Sequence, residues 1–555
     1  MTGIQVVPVF YFNKKVMSEK TRNSILLQGS ILALAGLISK IIGFIYRIPM
    51  ANIMGSDGNS LYSVAFGIYN IALTLSSYSM PLAVSKLMSA RLAKKQYKDA
   101  HRLFLRALLF AAVAGFIACV VLYAGADVIA YLYKREGVER PLRILAPTVF
   151  IVALLGTCRG YFQGHKTMVP TAVSQVIEQI INAIVSVAAS YGFMKACMVE
   201  SEKSSYAAMG GTLGTLAGAF SALLIFVGLF FINRKTRKEE LSQEDISTED
   251  NLLIFKSILL TVIPVVISQT IYQFGYTLDD LLYGNIMFFK GIDKSVARSL
   301  QGVFNTQYNQ MINLPVAIAT SMASATLPSI VSSFTVGEHG RVKEKMSMVL
   351  KINMLIAIPS FVGLAVLADP IMSVLFPGLK EYHNTAVILL ETGSLAVVFY
   401  ALSTLSTSIL QGCDHMKVPV IHSGISLVAH GIIVASLLFF TDLNVYALVI
   451  GNVTFPMLVC ILNIRSIKKL IGYKMDYMHV FVLPLVSALV MGLLAKLSYM
   501  GVLAVLNSEG RMMKCISLCA SIFIAGVTYF VSLVITKAVT REELKNMPVI
   551  KKIIK

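Results

Sequence analysis

The chain has 555 residues, of which 56 % are hydrophobic and only 14 % charged, with a mean hydropathy of +0.73. A soluble domain carries about 25 % charged residues, so the composition excludes a soluble globular fold and indicates an all-α polytopic membrane protein. The formal charge of +19 is scattered over many short segments between apolar runs, which reads as membrane topology and attraction to anionic lipid before nucleic-acid binding.

Residues 2–12 are apolar, but they are short and lack a basic lead and a small-residue cleavage site, so they do not read as a working signal peptide. Met17-Ser18-Glu19-Lys20 resembles a second start, and residues 1–22 are expected to be a cytoplasmic tail whose first sixteen residues are disordered or wrongly assigned. Fourteen apolar runs then follow, each long enough to cross about 30 Å of hydrocarbon. They are placed near 24–49, 60–85, 103–125, 143–164, 169–193, 206–232, 253–284, 299–333, 346–367, 385–411, 418–440, 445–464, 479–503 and 514–536. The seventh and eighth exceed a simple span, and tilt or an extension past the bilayer is expected there. Alternation of period two, the mark of a membrane barrel, is absent.

Lys and Arg concentrate in alternate connections: Lys14 to Arg22, Arg91 to Arg102, Arg234 to Lys238, Arg341 to Lys345, Arg465 to Lys474 and the tail from Lys537. Basic loops stay cytoplasmic, so both termini are expected on the cytoplasmic side of the membrane.

The chain also repeats itself. Gln163-Gly164 and Pro170 are answered by Gln411-Gly412 and Pro419, 248 and 249 residues later. Asp127 in Ala-Asp-Val-Ile is answered by Asp369 in Ala-Asp-Pro-Ile, 242 residues later, and Pro81 to Ser85 by Pro328 to Ser332, 247 later. Each repeat holds six spans, an even number, so the two copies enter the membrane alike and form parallel lobes. The expected division is an N-lobe at 23–232, a cytoplasmic linker at 233–252, a C-lobe at 253–470, two further helices at 471–537 and a basic tail at 538–555.

Ionisable groups inside spans are costly and face a partner or a wet cavity. Lys40 and Arg47 lie two turns apart on one face of the first span. They read either as a cationic cavity wall or as a snorkelling pair with local partners. The fifth span carries Gln175, Glu178, Gln179 and Asn182 as one polar stripe, for interhelical hydrogen bonding or for transport coupling. Gly210, Gly214 and Gly218 form a small-xxx-small ladder on the sixth span, the pattern of close helix packing. Gln269, Gln273, Tyr276 and Asp280, with Asp279 beside it, mark the seventh span, and Asn305, Asn309 and Asn313 the eighth. These two stripes cannot face lipid and point to a hydrated cavity, although Asp279 and Asp280 could equally be solvated at the outer headgroups. Glu391, His422 and His430 are buried candidates on the tenth and eleventh spans; hydrogen-bonded core histidine is the favoured reading of both rings. Arg159 and Lys166 fit positive-inside topology better than a phosphate site.

Seven cysteines show no metal or disulfide spacing, and no cofactor is expected. The phosphate loop of an ATPase, the zinc-protease helix and the nucleophile elbow are all absent, so transport and not catalysis is indicated.

Ser39-Lys40-Ile41-Ile42-Gly43-Phe44, followed by Arg47 and Gly55, is similar to the first-helix signature of the lipid II flippases. Arg159-Gly160-Tyr161-Phe162-Gln163-Gly164, with Thr167 to Pro170 and Gln175 to Asn182, more closely resembles the stage V sporulation protein B-like branch. Both branches belong to the multidrug/oligosaccharidyl-lipid/polysaccharide (MOP) exporter superfamily, and the resemblance covers roughly residues 20–540. It implies two six-helix lobes, a central cavity bounded by the first, second, seventh and eighth helices, and two extra C-terminal helices. It also implies an undecaprenyl-pyrophosphate-linked oligosaccharide or peptidoglycan precursor as cargo, with cell-wall or polysaccharide synthesis enzymes as partners. The chain departs from the flippase pattern by placing Tyr46 and Arg47 where Arg and Asp stand, and Lys40 where Arg stands; lysine is a point charge without a bidentate fork. The expected substrate contacts are Lys40, Arg47, Gln273, Asp280, Asn305 and Asn309, with Glu178, Asn182, Asp279 and Glu391 as a coupling or lobe network. The reading is an alternating-access lipid-linked oligosaccharide flippase. A cation-coupled drug or metabolite exporter of the same superfamily is the alternative, and a membrane transferase using His422 or His430 with Glu391 a further one.

Overall fold

A computed structural model describes residues 20–76, 80–242, 250–335, 337–415, 417–506 and 510–539; the expected N-terminal extension lies outside them, as does nearly all of the C-terminal tail. Every regular element among the described residues is helical. By their contacts, residues up to Met54 with Leu61–Leu281 form one compact unit, and Gly55–Ser60 with Leu282–Lys555 another.

The first unit holds most of α1 (Lys20–Ser76), then α2 (Met80–Ala93), α3 (Tyr97–Ala124), α4 (Ala126–Leu132), α5 (Glu139–Gly164), α6 (Val169–Ala196), α7 (Lys203–Ile232), α8 (Arg234–Leu241) and α9 (Asn251–Phe289), which it shares with the second. The first predicted span and most of the second are a single helical run broken at Gly55, whose φ of 66° and ψ of −178° suit only glycine. The motif Arg159 to Gly164 distributes its side chains by helical spacing. Gly160 and Gly164 admit α2, since a Cβ on either would fall 2.7 Å from Val84 and 2.9 Å from Met88. Tyr161 and Phe162 turn into the core, with ring centres 4.7 Å from Phe104 and 5.4 Å from Phe226. Arg159 is left to face α6.

The glycine ladder of α7 lies directly on α6. A Cβ on Gly214 would sit 2.1 Å from Ser186 Oγ and 2.6 Å from the Asn182 carbonyl, and one on Gly218 2.6 Å from the Glu178 carbonyl. Small residues allow this approach, and with it the dispersion contact that holds helices together in lipid.

The second unit comprises α10 (Lys294–Gly302), a π-helical turn at Val303–Tyr308, α11 (Asn309–Thr335), α12 (His339–Val366), α13 (Ala368–Leu375), α14 (His383–Gly393), α15 (Ala396–Gly412), α16 (Lys417–Phe440), α17 (Val445–Leu470), α18 (Leu483–Leu506) and α19 (Arg511–Ile535). Asp293 caps α10 by accepting from Ser295 N at 2.8 Å and Val296 N at 3.2 Å. The Ser295 hydroxyl, with those two amides, holds its carboxyl below the usual carboxylate range. Within this unit Gly302 meets the segment 55–60, where a Cβ would lie 1.8 Å from the Ser56 carbonyl.

Ten described helices are long and apolar enough to cross a membrane, or eleven when the pair Pro377–Gly393 and Ala396–Gly412, bent by 46°, counts as one span. The protein is a multi-pass membrane protein. The short helices α4, α8 and α13 were not among the predicted elements.

The internal repeat is written into the backbone. Lys166 (φ 60°) and Asp414 (φ 63°), 248 residues apart, occupy the same left-handed turn position. Around them His165 N donates to Tyr161 O, Lys166 N to Gln163 O and Thr167 N to Phe162 O; Cys413 to Ile409, Asp414 to Gln411 and His415 to Leu410 repeat the set at the same spacing. Lys95 and Gly337, also left-handed, head a second pair of matching turns 242 residues apart. The helices that follow, α3 and α12, start and stop 242 residues apart. Pro81 and Pro328, at 247, fall five residues out of that register, so this pair does not mark equivalent positions.

Candidate polar sites within the two units

In the first unit the polar stripe of α6 meets α5 and α1. Glu178 accepts from Arg159 Nη2 at 2.6 Å, and the same nitrogen lies 3.4 Å from Ser174 Oγ. The pair is only 15 % and 20 % exposed, so both charges depend on each other. The buried Tyr69 of α1 is Glu178's neighbour, and a Cβ on Gly43 would lie 3.8 Å from Gln179 Oε1. Asn182 is buried and accepts from Ser186 Oγ at 2.8 Å. The stripe therefore packs inside the unit, and its acid is matched by an arginine that charge topology alone had accounted for.

Lys40 and Arg47 share a face of α1 but not an environment: Lys40 is exposed and Arg47 half-buried beside Tyr46 and Tyr62. Arg47 Nε is buried without a hydrogen-bond partner, as is the Tyr62 hydroxyl. Among the described residues neither Lys40 nor Arg47 belongs to an ion pair, so no carboxylate neutralises Arg47, whose hydrogen-bonding neighbour is the Tyr46 hydroxyl. Asp279 and Asp280 are each 7 % exposed, which corrects the alternative that they are merely solvated. Thr277 Oγ1 and Asp280 Oδ2 flank Gly67 at 3.6 and 3.8 Å from its Cβ position. The side chains of Gln269, Gln273 and Tyr276 lie outside the described residues.

In the second unit, Asn305, Asn309 and Asn313 do not present one uniform face. Asn305, inside the π turn at Val303–Tyr308, and Asn309, at the start of α11, are half-buried, whereas Asn313, one regular turn further along α11, is exposed. Asn309 Oδ1 accepts from Asn452 at 3.5 Å, and Asn452 also reaches the Tyr400 hydroxyl at 3.4 Å. The fully buried Tyr308 hydroxyl lies 3.0 Å from the Gly393 carbonyl and 3.2 Å from Asn452 Oδ1. A Cβ on Gly393 would collide with that ring at 2.4 Å. Composition could not reveal this network, because Tyr308, Gly393, Tyr400 and Asn452 are unremarkable on their own helices.

Glu391, expected to be buried, is exposed. It stands in the last turn of α14, where the chain bends into α15, so the continuous span that would have enclosed it does not exist. The two histidines are hydrogen-bonded packing groups. His422 Nδ1 donates to Asn463 Oδ1 at 2.8 Å, and Asn463 donates to Ser406 at 3.1 Å and Thr407 at 3.0 Å. His430, 3 % exposed, donates to the Gly451 carbonyl at 3.1 Å. His422 and His430 lie far along the chain from Glu391, and no ion pair links either ring to it among the described residues.

Comparison with known proteins agrees with this architecture. The family model described as "Polysaccharide biosynthesis protein" matches residues 25–334, more than half of the chain, and MatE matches residues 306–437. The lipid II flippase MurJ of Bacillus subtilis (strain 168) is 26 % identical over 73 % of this chain and 76 % of its own length. Stage V sporulation protein B of the same organism is 22 % identical over 94 % of this chain and 98 % of its own length. Among solved structures, a lipid II flippase MurJ in an inward closed conformation has a TM-score of 0.63 at 14 % identity, covering 90 % of this chain and 98 % of that one. An inward-facing multidrug resistance MATE family transporter of the MOP superfamily has a TM-score of 0.64 at 14 % identity, covering 80 % and 98 %. With a family match over residues 25–334, the chain belongs to the family described as polysaccharide biosynthesis protein, and it shares its fold with the solved lipid II flippase and multidrug transporter.

Proposed function

We propose that the protein is an alternating-access flippase that moves an undecaprenyl-pyrophosphate-linked oligosaccharide or peptidoglycan precursor across a bacterial plasma membrane. In this reading fourteen spans form two parallel six-helix lobes, at 23–232 and 253–470, with two further helices, and both termini are cytoplasmic. The observation that carries it is Arg47, a guanidinium within an apolar helix with no carboxylate partner among the described residues and a buried Nε still free to donate. A pyrophosphate cannot cross hydrocarbon bare, and an unmatched arginine supplies its counter-charge through charge-assisted hydrogen bonds. Lys40, Gln273, Asp280, Asn305 and Asn309 complete the proposed contacts, while Glu178, Asn182 and Asp279 hold the surrounding helices. The relative named as a lipid II flippase and the family description as a polysaccharide biosynthesis protein support the cargo class.

A cation-coupled exporter is the second reading, favoured by the MatE match and by the likeness to a multidrug transporter. Proteoliposomes offered lipid II, a simpler polyprenyl pyrophosphate or a cationic dye separate the two. Arg47→Ala is expected to lower lipid flipping by roughly ten- to hundredfold, the loss of one charge-assisted contact of about 1.5–3 kcal/mol. Lys40→Ala weakens it less, and Lys40→Arg is tolerated better than Lys40→Gln. Normal lipid transport by the Lys40→Ala, Arg47→Ala double variant would sink the proposal, and transport of the dye alone would establish the exporter.

A further inference from the structure

Between α3 and the first turns of α9, within the first unit, lies a crevice of about 570 Å3, inside the range of roughly 300–1,000 Å3 typical of ligand sites. Its floor is apolar: Leu109, Phe110 and Val113 from α3, Leu252 and Phe255 from α9, with the Phe110 and Phe255 rings edge-on at 6.0 Å. Leu109 is 56 % exposed and Val113 52 %, so the crevice opens sideways to hydrocarbon.

Two opposite charges line the same crevice, Arg106 on α3 and Asp250 ahead of α9. They do not pair with each other, although both belong to one cavity wall. Arg106 makes no ion pair or hydrogen bond among the described residues, while Arg102, one turn away, is already engaged with Asp99 at 3.6 Å. Asp250 accepts from Leu252 N at 3.5 Å through one oxygen, and its other oxygen has no hydrogen-bond partner among the described residues. A separated cation and anion above an apolar slot are complementary to a zwitterion with a hydrocarbon tail.

We propose that this crevice binds one phospholipid bearing a primary ammonium, with the phosphate diester on Arg106, the ammonium on Asp250 and an acyl chain along the apolar floor. Guanidinium binds phosphate oxygens in a bidentate fork. A primary ammonium donates hydrogen bonds to a carboxylate as lysine does, whereas a trimethylammonium has none to donate. A purely anionic headgroup would satisfy Arg106 but face the Asp250 carboxylate. The inference is independent of what the protein transports.

Native mass spectrometry of the full-length protein, after exchange into equimolar phosphatidylethanolamine, phosphatidylglycerol and phosphatidylcholine, provides the test. The ethanolamine lipid is expected to be retained about tenfold over each of the others, one charge-assisted contact's worth of affinity. Arg106→Gln should remove that retention about tenfold. Asp250→Asn, which preserves the helix cap, should instead erase the preference of the ethanolamine lipid over phosphatidylglycerol while lipid is still bound. Thermal unfolding of both variants checks that they fold as the parent does. Equal retention of the three lipids, unmoved by either substitution, would leave an adventitious lipid only and overturn the proposal. Retention of none would overturn it as well.

Discussion

Two helix pairs of this molecule share one backbone plan and differ in what fills it. At α5–α6 stand Arg159, Ser174, Glu178 and Asn182; 248 residues on, at α15–α16, stand Thr407, His422, Ser426 and His430. The same three backbone hydrogen bonds close the left-handed turn between the helices in both. In each case a glycine of the next helix lies on the pair: Gly214 against Asn182 and Ser186, Gly451 against His430 and Val434. Yet the first pair is closed by a 2.6 Å ion pair, and the second by an imidazole, an amide and hydroxyls. Close helix packing constrains turn geometry and residue size far more tightly than it constrains polarity, so the polar content of a repeat can diverge while its frame persists.

The largest expected consequence of that difference is in stability. Glu178→Gln strands a poorly hydrated guanidinium and is expected to cost about 3 kcal/mol, whereas Arg159→Met with Glu178→Leu together should return to within about 1 kcal/mol of the parent. Asn463→Ala, which removes neutral hydrogen bonds, should cost about 1–2 kcal/mol. Chemical unfolding of the purified variants measures all of these, and equal losses at Glu178 and Asn463 would erase the contrast.

The glycine contacts sharpen it further. On Gly218 an added methyl meets the Glu178 carbonyl at 2.6 Å, a backbone atom that cannot turn aside. On Gly451 it meets Val434 Cγ2 at 2.4 Å and His430 Cε1 at 2.8 Å, both side-chain and not backbone atoms. Gly218→Ala is therefore expected to cost about 2–3 kcal/mol and Gly451→Ala about 1 kcal/mol. The same unfolding experiment decides it, and the reverse order would show the second unit to be the more rigidly packed.

The smallest effect lies in the turns. Lysine is strained at the positive φ of Lys166, while aspartate tolerates that region at Asp414. Lys166→Gly should raise stability by about 0.5 kcal/mol and Asp414→Gly should change it little. Matching shifts in midpoint temperature would mean that lysine and aspartate bear the left-handed turn equally well and that the contrast fails here.

By itself the sequence determined the membrane class, the place of most helices, the helix-packing role of the Gly210, Gly214 and Gly218 ladder, and the duplication at the α5–α6 turn. All of these are properties of runs and spacings: apolar length sets whether a segment can cross a bilayer, and helical period sets which side chains share a face. What one face meets across the gap is not contained in a period. Only the tertiary structure decided that Glu178 pairs with Arg159, 19 residues earlier on another helix, and that Asp279 and Asp280 are buried. It alone shows Asn313 exposed where Asn305 and Asn309 are half-buried, and the bend after α14 that leaves Glu391 exposed. In hydrocarbon every polar group is driven to find a partner, but which partner is settled by the angle and depth at which the helices meet, and those are set by packing.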